Sequence, residues 1–284
     1  MTTSPIISGQ PFSEEKTRQI VDAFHRDGFA LIPGVLEPDE MEALRGKIDE
    51  LLDDPGLAER ENPHRGDKRY AQLMPHSESG EKLPFILRNT IDLDPIFRDL
   101  LIRQPILGLA EATVGPDCMF CGQNVLRSQS GLAIEGWHVD GTVQFPVPDG
   151  VPRHDPRIRP PVLWLAVQMA LSDIETIEHG PTQYVPGSHC SGRKPNSQEH
   201  PDFEGRGPVS IFCKAGDIYL HDPQCWHRGA PNTSNRTRYL MQSQYAAQWA
   251  YRRFSWLNRV SVPEDDLRTA SERLLQVLGR NRPG

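Results

Sequence analysis

Residues 209–246 read VSIFCKAGDIYLHDPQCWHRGAPNTSNRTRYLMQSQYA, which is four short strand-like runs separated by Gly, Pro, Asn and Asp. Short runs punctuated in this way are typical of an antiparallel sandwich or barrel. The same pattern begins upstream at about Asp117 and brings the total close to the eight strands of a jelly roll. The predicted strands are 119–128, 134–140, 162–171, 183–185, 209–213, 217–221, 226–229 and 238–246.

The first third of the chain is predicted to be mainly helical. Ser13 before two glutamates marks a helix start, and Pro38 opens a second helix with one apolar face. A short strand at 29–32 separates them, and further helices are expected at 95–102, 104–114 and 263–278. We therefore expect one domain over 1–284, with a mainly helical part at 1–116, a jelly-roll core at 117–250 and a C-terminal helix in 251–284.

Two polar segments are long enough to be candidate lids over a site. They are 53–82 and 142–160, and the second contains Arg153, His154, Arg157 and Arg159, which would suit a polar or anionic substrate. An ordinary solvated loop is the alternative for both.

Composition excludes several classes of partner. The net charge of −7 argues against nucleic acid and anionic membrane, which are bound through an excess of Lys and Arg. The chain has no export leader and no run of about eighteen apolar residues, so we expect a cytoplasmic protein without a membrane partner. Its five scattered cysteines are expected to be reduced core residues.

Two His-x-Asp pairs occur, and only one can chelate a metal. His25 and Asp27 end a predicted helix, where positions i and i+2 point in different directions, whereas His138 and Asp140 share one face of a predicted strand. With a second histidine from a distant strand, this pair forms the facial triad of an open iron(II) site. A 2-oxo acid can then take two metal positions and oxygen the third. The downstream candidates are His154, His179, His189, His200, His221 and His227.

His227 is favoured because a turn-rich stretch and then two arginines follow it. An arginine fork donates two parallel hydrogen bonds to a carboxylate, as the far end of 2-oxoglutarate requires. Arg236 and Arg238 share a strand face, and spacing alone leaves both open. His221 remains the alternative metal ligand.

Five motifs in order resemble the phytanoyl-CoA dioxygenase family of iron(II)- and 2-oxoglutarate-dependent oxygenases. They are DGFALIPGVL, GWHVDG, LWLAVQMALSD, HGPTQYVPGSH and AGDIYLHDPQCWHRGAPNTSNRTR, and together they span most of the chain. The resemblance implies a double-stranded β-helix, a jelly-roll or cupin-like core, with helices packed outside. It also implies His138, Asp140 and His227 as iron ligands, with Arg238, Thr182 and Gln123 contacting 2-oxoglutarate. Because Asp140 is present, a halogenase is disfavoured.

The function implied by the resemblance is oxidation of an unactivated C–H bond of a small molecule, by hydroxylation or oxidative cyclisation. Many bacterial family members act on specialised metabolites, so a sugar-containing or aminoglycoside-like natural product, as in antibiotic biosynthesis, is the expected substrate. A primary-metabolism acyl or amino acid hydroxylase is one alternative. A non-catalytic jelly-roll binding or sensor domain is another, but four separated polar residues converging on one pocket count against it.

Overall fold

The strands of the chain form two antiparallel sheets, with helices on the outside of the larger sheet. The computed structural model describes residues 9–54, 56–57, 71–72, 85–153, 155, 157–258, 262, 267–268 and 270–280. Its helices are α1 Glu14–Asp27, α2 Pro38–Asp53, α3 Pro95–Asp99, α4 Ile106–Val114, α5 Gln248–Arg253 and α6 Glu272–Val277. Its strands are β1 Phe29–Ile32, β2 Ala71–Gln72, β3 Phe85–Arg88, β4 Met119–Ser128, β5 Ile134–His138, β6 Trp164–Ala170, β7 Thr182–Tyr184, β8 Val209–Ser210, β9 Ile218–His221, β10 His227–Gly229 and β11 Arg238–Ala246.

The order of the strands identifies the architecture. The larger sheet runs β1-β9-β6-β11-β4-β3-β2, and the smaller runs β5-β10-β7-β8, so chain neighbours such as β9, β10 and β11 alternate between the sheets. This is the double-stranded β-helix, and the predicted fold class, mainly β with flanking helices, is confirmed. Within the described ranges, no helix is long and apolar enough to cross a membrane.

Side chains of the larger sheet alternate between two environments, as the pleat of a strand requires. Along β11, Met241 and Tyr245 join the apolar cluster formed with the helices, and the hydroxyl of Tyr245 donates to the carbonyl of Leu101 at 2.9 Å. Leu240, which precedes Met241 and points to the opposite face, packs instead against Tyr184 of the smaller sheet. The inner face of β11 therefore looks into the space between the sheets.

The N-terminal helices are tied to this frame by capping and by one buried ion pair. Ser13 caps α1 by accepting from the amide of Lys16 at 3.3 Å, and Gly28 ends it with φ of 85°, as the sequence predicts. Arg103 donates to both carboxylate oxygens of Glu40 at 2.6 Å, and both side chains are buried. The pair joins α2 to the segment before α4.

Some predicted bounds are wrong. The helix predicted at 95–102 is α3 followed by a 3-10 turn, Leu100–Ile102. The helix predicted at 263–278 is not continuous, because Ser271 is extended and caps α6 by accepting from the amide of Leu274 at 3.2 Å. Residues 263–266 and most of the candidate lid 53–82 lie outside the described residues.

Candidate metal centre

The centre begins with two histidines on neighbouring strands of the smaller sheet. His138 of β5 and His227 of β10 are directly paired in the antiparallel register, and their ring centroids are 4.2 Å apart. Paired positions on adjacent strands project to the same face. Pairing thus brings together two residues that are 89 positions apart in the chain.

Backbone carbonyls set the orientation of both imidazoles. Nδ1 of His138 lies 2.7 Å from the carbonyl oxygen of Gly136, and Nδ1 of His227 lies 2.8 Å from that of Cys225. A carbonyl only accepts, so each Nδ1 carries the proton and each neutral ring keeps the lone pair of Nε2. Metal-binding histidines are typically fixed by such a hydrogen bond on the other ring nitrogen.

Asp140 supplies the third donor. It follows β5 directly, and its amide donates to the carbonyl of Pro223 at 2.8 Å, which fixes the backbone beside β10. Its Oδ1 lies 3.9 Å from Nε2 of His138 and 3.7 Å from Nε2 of His227. Two donors on one ion at bond lengths of about 2.0–2.2 Å lie at most about 4.4 Å apart. The two nitrogens and one oxygen, a donor set suited to iron(II), therefore fit a single ion.

Burial and the neighbouring histidines together set the protonation of His227 and Asp140 in the direction that metal binding requires. Burial lowers the pKa of His227 to about 3, so the ring is neutral at neutral pH. Burial alone would raise the pKa of Asp140, but His227, His221 and His138 outweigh it and hold the pKa below its usual range. The site thus offers the neutral imidazole of His227 and the ionised carboxylate of Asp140.

His221 lies beside the three donors in a different role. Its Nε2 is 3.3 Å from Oδ2 of Asp140, while its buried Nδ1 has no partner among the described residues. A carboxylate accepts, so Nε2 of His221 carries the proton and points it at the oxygen that faces away from His138 and His227. His221 therefore holds Asp140 in place instead of presenting a lone pair.

A second polar cluster surrounds Arg238 on the inner face of the larger sheet. Arg238 is buried, burial lowers its pKa, and it forms no ion pair with a carboxylate of the described residues. Its Nη1 donates to the carbonyl of Gly180. Among the described residues, its Nε has no partner, and neither has Oγ of Ser128 directly opposite on β4. Thr182 contributes Oγ1, which lies 2.9 Å from the hydroxyl of Tyr219. An unpaired buried guanidinium beside hydroxyl groups suits a carboxylate ligand.

The expectation for Gln123 is not supported by its position. Its amide faces the helices: Oε1 accepts from Thr90 at 2.6 Å, and Nε2 donates to Ser243 and to the carbonyl of Phe97, both at 3.1 Å. All of these groups lie on the outer face, because Gln123 and Ser243 are paired on β4 and β11. The next residue, Asn124, lies on the inner face instead.

The rejected alternatives are also explained by their contacts. Asp27 of the other His-x-Asp pair accepts from Arg206 at 2.6 Å and lies on α1. Arg236 is half-exposed, and its Nη2 lies 3.9 Å from Oδ2 of Asp173. The structure thus separates both from the cluster that contains Asp140.

A cavity of about 580 Å³ opens beside Asp140 between the sheets. Its wall includes residues that sequence reasoning did not single out: Asn124, Trp164, Gln242, Gln244 and Trp256. A signal for two of them existed, because Gln242 and Gln244 continue the alternation that begins with Arg238 on β11. Ser128 and Tyr219 carried no comparable signal.

The described residues of the loop 142–160 contribute to this wall through the start of the loop, at Thr142 and Gln144. Two of its arginines contact carboxylates elsewhere. Nε of Arg153 lies 2.5 Å from Oε1 of Glu204, and Nη2 of Arg157 lies 2.6 Å from Oδ2 of Asp155. His154 lies outside the described residues. These contacts do not support a role for the arginines in holding a substrate.

The chain is similar to known proteins in sequence. A family model for Phytanoyl-CoA dioxygenase (PhyH) matches residues 24–240. Dioxygenase af480 of Aspergillus fumigatus is 23% identical over 260 residues, which cover 90% of this chain and 75% of that protein.

Solved structures share the fold. The epimerase SnoN from nogalamycin biosynthesis, in complex with Fe3+, alpha ketoglutarate and nogalamycin RO, superposes with a TM-score of 0.59 at 19% identity, covering 82% of this chain and 84% of that one. The carbocyclase SnoK from the same biosynthesis superposes with a TM-score of 0.60 at 24% identity, covering 84% and 87%. Because the family model matches well over half of the chain, the protein belongs to the phytanoyl-CoA dioxygenase family and is a 2-oxoglutarate-dependent dioxygenase that uses iron(II) and oxygen.

Proposed function

We propose that His138, Asp140 and His227 hold the iron(II), and that the enzyme oxidises an unactivated C–H bond of a small specialised metabolite. The outcome is hydroxylation or oxidative cyclisation, and a sugar-containing natural product is the proposed substrate class. One observation carries the assignment of the ligands. Both histidines present Nε2 to the same carboxylate while a backbone carbonyl fixes Nδ1 of each ring.

In this proposal the second cluster binds the co-substrate. Arg238 pairs with the carboxylate of 2-oxoglutarate that lies far from the metal, and Thr182 and Ser128 donate from either side. The ligand would thereby satisfy the unpaired Nε and Oγ atoms of this cluster. Bound iron and co-substrate supply the oxidising chemistry, while these residues supply orientation.

The cavity beside Asp140 supports a substrate of moderate size. Asp140 forms part of its wall, so a molecule in the cavity places its carbon atoms next to the metal ligands. Trp164 is buried in the same wall and helps to exclude water. The two nogalamycin enzymes with this fold are consistent with a substrate from specialised metabolism.

Anaerobic titration with iron(II) and 2-oxoglutarate tests the proposal. A chelated keto acid gives a weak visible charge-transfer band, which we expect for the wild-type protein and not for His138→Ala or His227→Ala. The matched control is His25→Ala, which alters the other His-x-Asp pair and should keep the band. Loss of the band in His25→Ala, or its persistence in His227→Ala, would show that the ligands are assigned incorrectly.

A further inference from the structure

The wall of the cavity beside Asp140 is rich in amides. Asn124 on β4 is paired with Gln242 on β11, and Gln244 lies two residues further along the same inner face. Gln168 of β6, paired with Gln242 on its other side, donates to Oε1 of Gln242 at 3.1 Å. An amide can donate and accept at once, which is the pattern that a hydroxyl group matches.

These amides are available to a ligand. Among the residues that the structure describes, none binds the side-chain amide of Asn124 or Gln244, or the amide nitrogen of Gln242. Asn124 is nevertheless buried. A buried polar group without a protein partner is costly unless water or a ligand binds it.

Gly122 allows one of these amides to lie flat across the sheet. A Cβ at this position would be 2.5 Å from Oε1 of Gln244, the residue paired with Gly122 across β4 and β11. On the other side, Gln244 is paired with Ala166 of β6, which is also small. The two small neighbours leave the space that the amide of Gln244 occupies.

Two tryptophans complete the wall. Trp164 and Trp256 have ring centroids 6.5 Å apart and an interplanar angle of 74°. Trp256 is 41% exposed beside the cavity, and the buried Nε1 of Trp164 has no partner in the described part of the chain. The wall therefore offers a flat apolar surface to a ligand.

The charges of the wall disfavour a cationic ligand. Asp140 is the one carboxylate among the described residues of the wall, and the proposed metal takes up its charge. Arg88 is the one cationic side chain among the described residues of the wall. Removing an ammonium from water without a carboxylate partner is strongly unfavourable.

We infer that the cavity binds a neutral, hydroxyl-rich ring, such as a glycosyl unit without amino groups, through the amides of Asn124, Gln242 and Gln244. The apolar face of the ring lies on Trp256. This inference rests on the proposed function, because it identifies the part of the substrate that lies next to the metal. It excludes aminoglycosides whose amines would enter the cavity.

Two matched disaccharides test the inference with the protein loaded with nickel(II) and 2-oxoglutarate. Cellobiose is neutral, and its diamino analogue replaces one hydroxyl on each ring by an ammonium group. Saturation-transfer NMR should show binding of cellobiose at least tenfold tighter than binding of the analogue. Equal or tighter binding of the analogue, or no binding of cellobiose, would overturn the inference.

Variants test whether cellobiose binds in this cavity. Asn124→Leu and Gln244→Leu should each weaken cellobiose binding about tenfold, and Gly122→Ala should do so by displacing the amide of Gln244. The control is Gln129→Leu, which removes an exposed amide just beyond the end of β4 and should have no effect. If Gln129→Leu weakens binding as much as Gln244→Leu, the amides of the cavity are not the binding groups.

The charge-transfer band separates failure of this inference from failure of the proposed function. Asn124→Leu, Gln244→Leu and Gly122→Ala should keep the band with iron(II) and 2-oxoglutarate, which also shows that they are folded. A band in the wild-type protein without selective cellobiose binding refutes only the substrate class. Absence of the band from the wild-type protein refutes the proposed function itself.

Discussion

Replacing Arg238 with methionine should change 2-oxoglutarate binding and protein stability in opposite directions. The guanidinium is buried, its Nε has no partner among the described residues, and no carboxylate of those residues pairs with it. The apoprotein therefore bears the cost of a buried charge that only a ligand can relieve. Methionine has a similar length and carries no charge, so it removes both the cost and the binding group.

The magnitude follows from the burial of Arg238. Truncating one partner of a buried, hydrogen-bonded charge pair typically costs about 2–5 kcal/mol of binding energy. At 1.4 kcal/mol for each factor of ten, 2-oxoglutarate should bind roughly 30- to 4,000-fold more weakly to Arg238→Met. The hydrogen bond to the carbonyl of Gly180 is also lost, which offsets about 1 kcal/mol of the relief. The apoprotein variant should still be at least as stable as the wild type.

The assay combines anaerobic titration of the charge-transfer band with urea unfolding of the apoprotein. Arg236→Met is the matched control, because Arg236 is two residues away on the chain and half-exposed. It should leave both the affinity and the unfolding midpoint unchanged. Wild-type affinity in Arg238→Met, or an equal loss in Arg236→Met, would refute the assignment of Arg238 to the co-substrate.

Three further predictions test the surroundings of the site and the frame that supports it. Because the pKa of His227 is about 3 in the folded protein and 6.5 when unperturbed, the unfolded state binds more protons between these values. The free energy of unfolding of the apoprotein should fall by up to about 1.4 kcal/mol per pH unit as the pH falls through this window. His227→Gln should show a shallower pH dependence in urea unfolding. Parallel curves for the two proteins would contradict the shift in the pKa of His227. His221→Phe should reduce nickel(II) affinity about 10- to 100-fold in chelator competition, because it removes the hydrogen bond to Oδ2 of Asp140. An unchanged affinity would show that His221 does not hold Asp140 in place. Glu40→Ala should destabilise the protein by about 3–5 kcal/mol, because Arg103 is left buried without its carboxylate partner. Replacing both residues by Met and Leu should restore much of the lost stability. If the double variant is as unstable as Glu40→Ala, the buried charge is not the cause.

Part of the site could be predicted from local sequence alone. A strand places residues i and i+2 on one face and a helix end does not, so His138 and Asp140 could be preferred to His25 and Asp27 before any contact was known. The jelly-roll fold could likewise be predicted, because strand period and turn residues are local properties. Strand β4 and strand β11 have the predicted bounds.

Other features could not be predicted from the sequence, because distant contacts decide them. Gln123 and Asn124 are both polar amides, and the alternation of a strand places one on each face of the sheet. The sequence does not show which of the two faces the helices. The helix predicted at 263–278 has a suitable apolar pattern, but Ser271 caps a shorter helix in the described part of the chain. Strand phase depends on pairing, and pairing is a property of the whole sheet.

The sequence by itself determined the fold class, the His-x-Asp pair and the family. The sequence favoured His227 over His221, and only the tertiary structure shows that both lie near Asp140 and differ in which ring nitrogen has a partner. The amide-rich cavity was likewise decided by tertiary structure, since its wall comes from strands that are far apart in the chain. Local patterns determine which face of a strand a residue occupies, whereas the pairing of distant strands determines what that face meets.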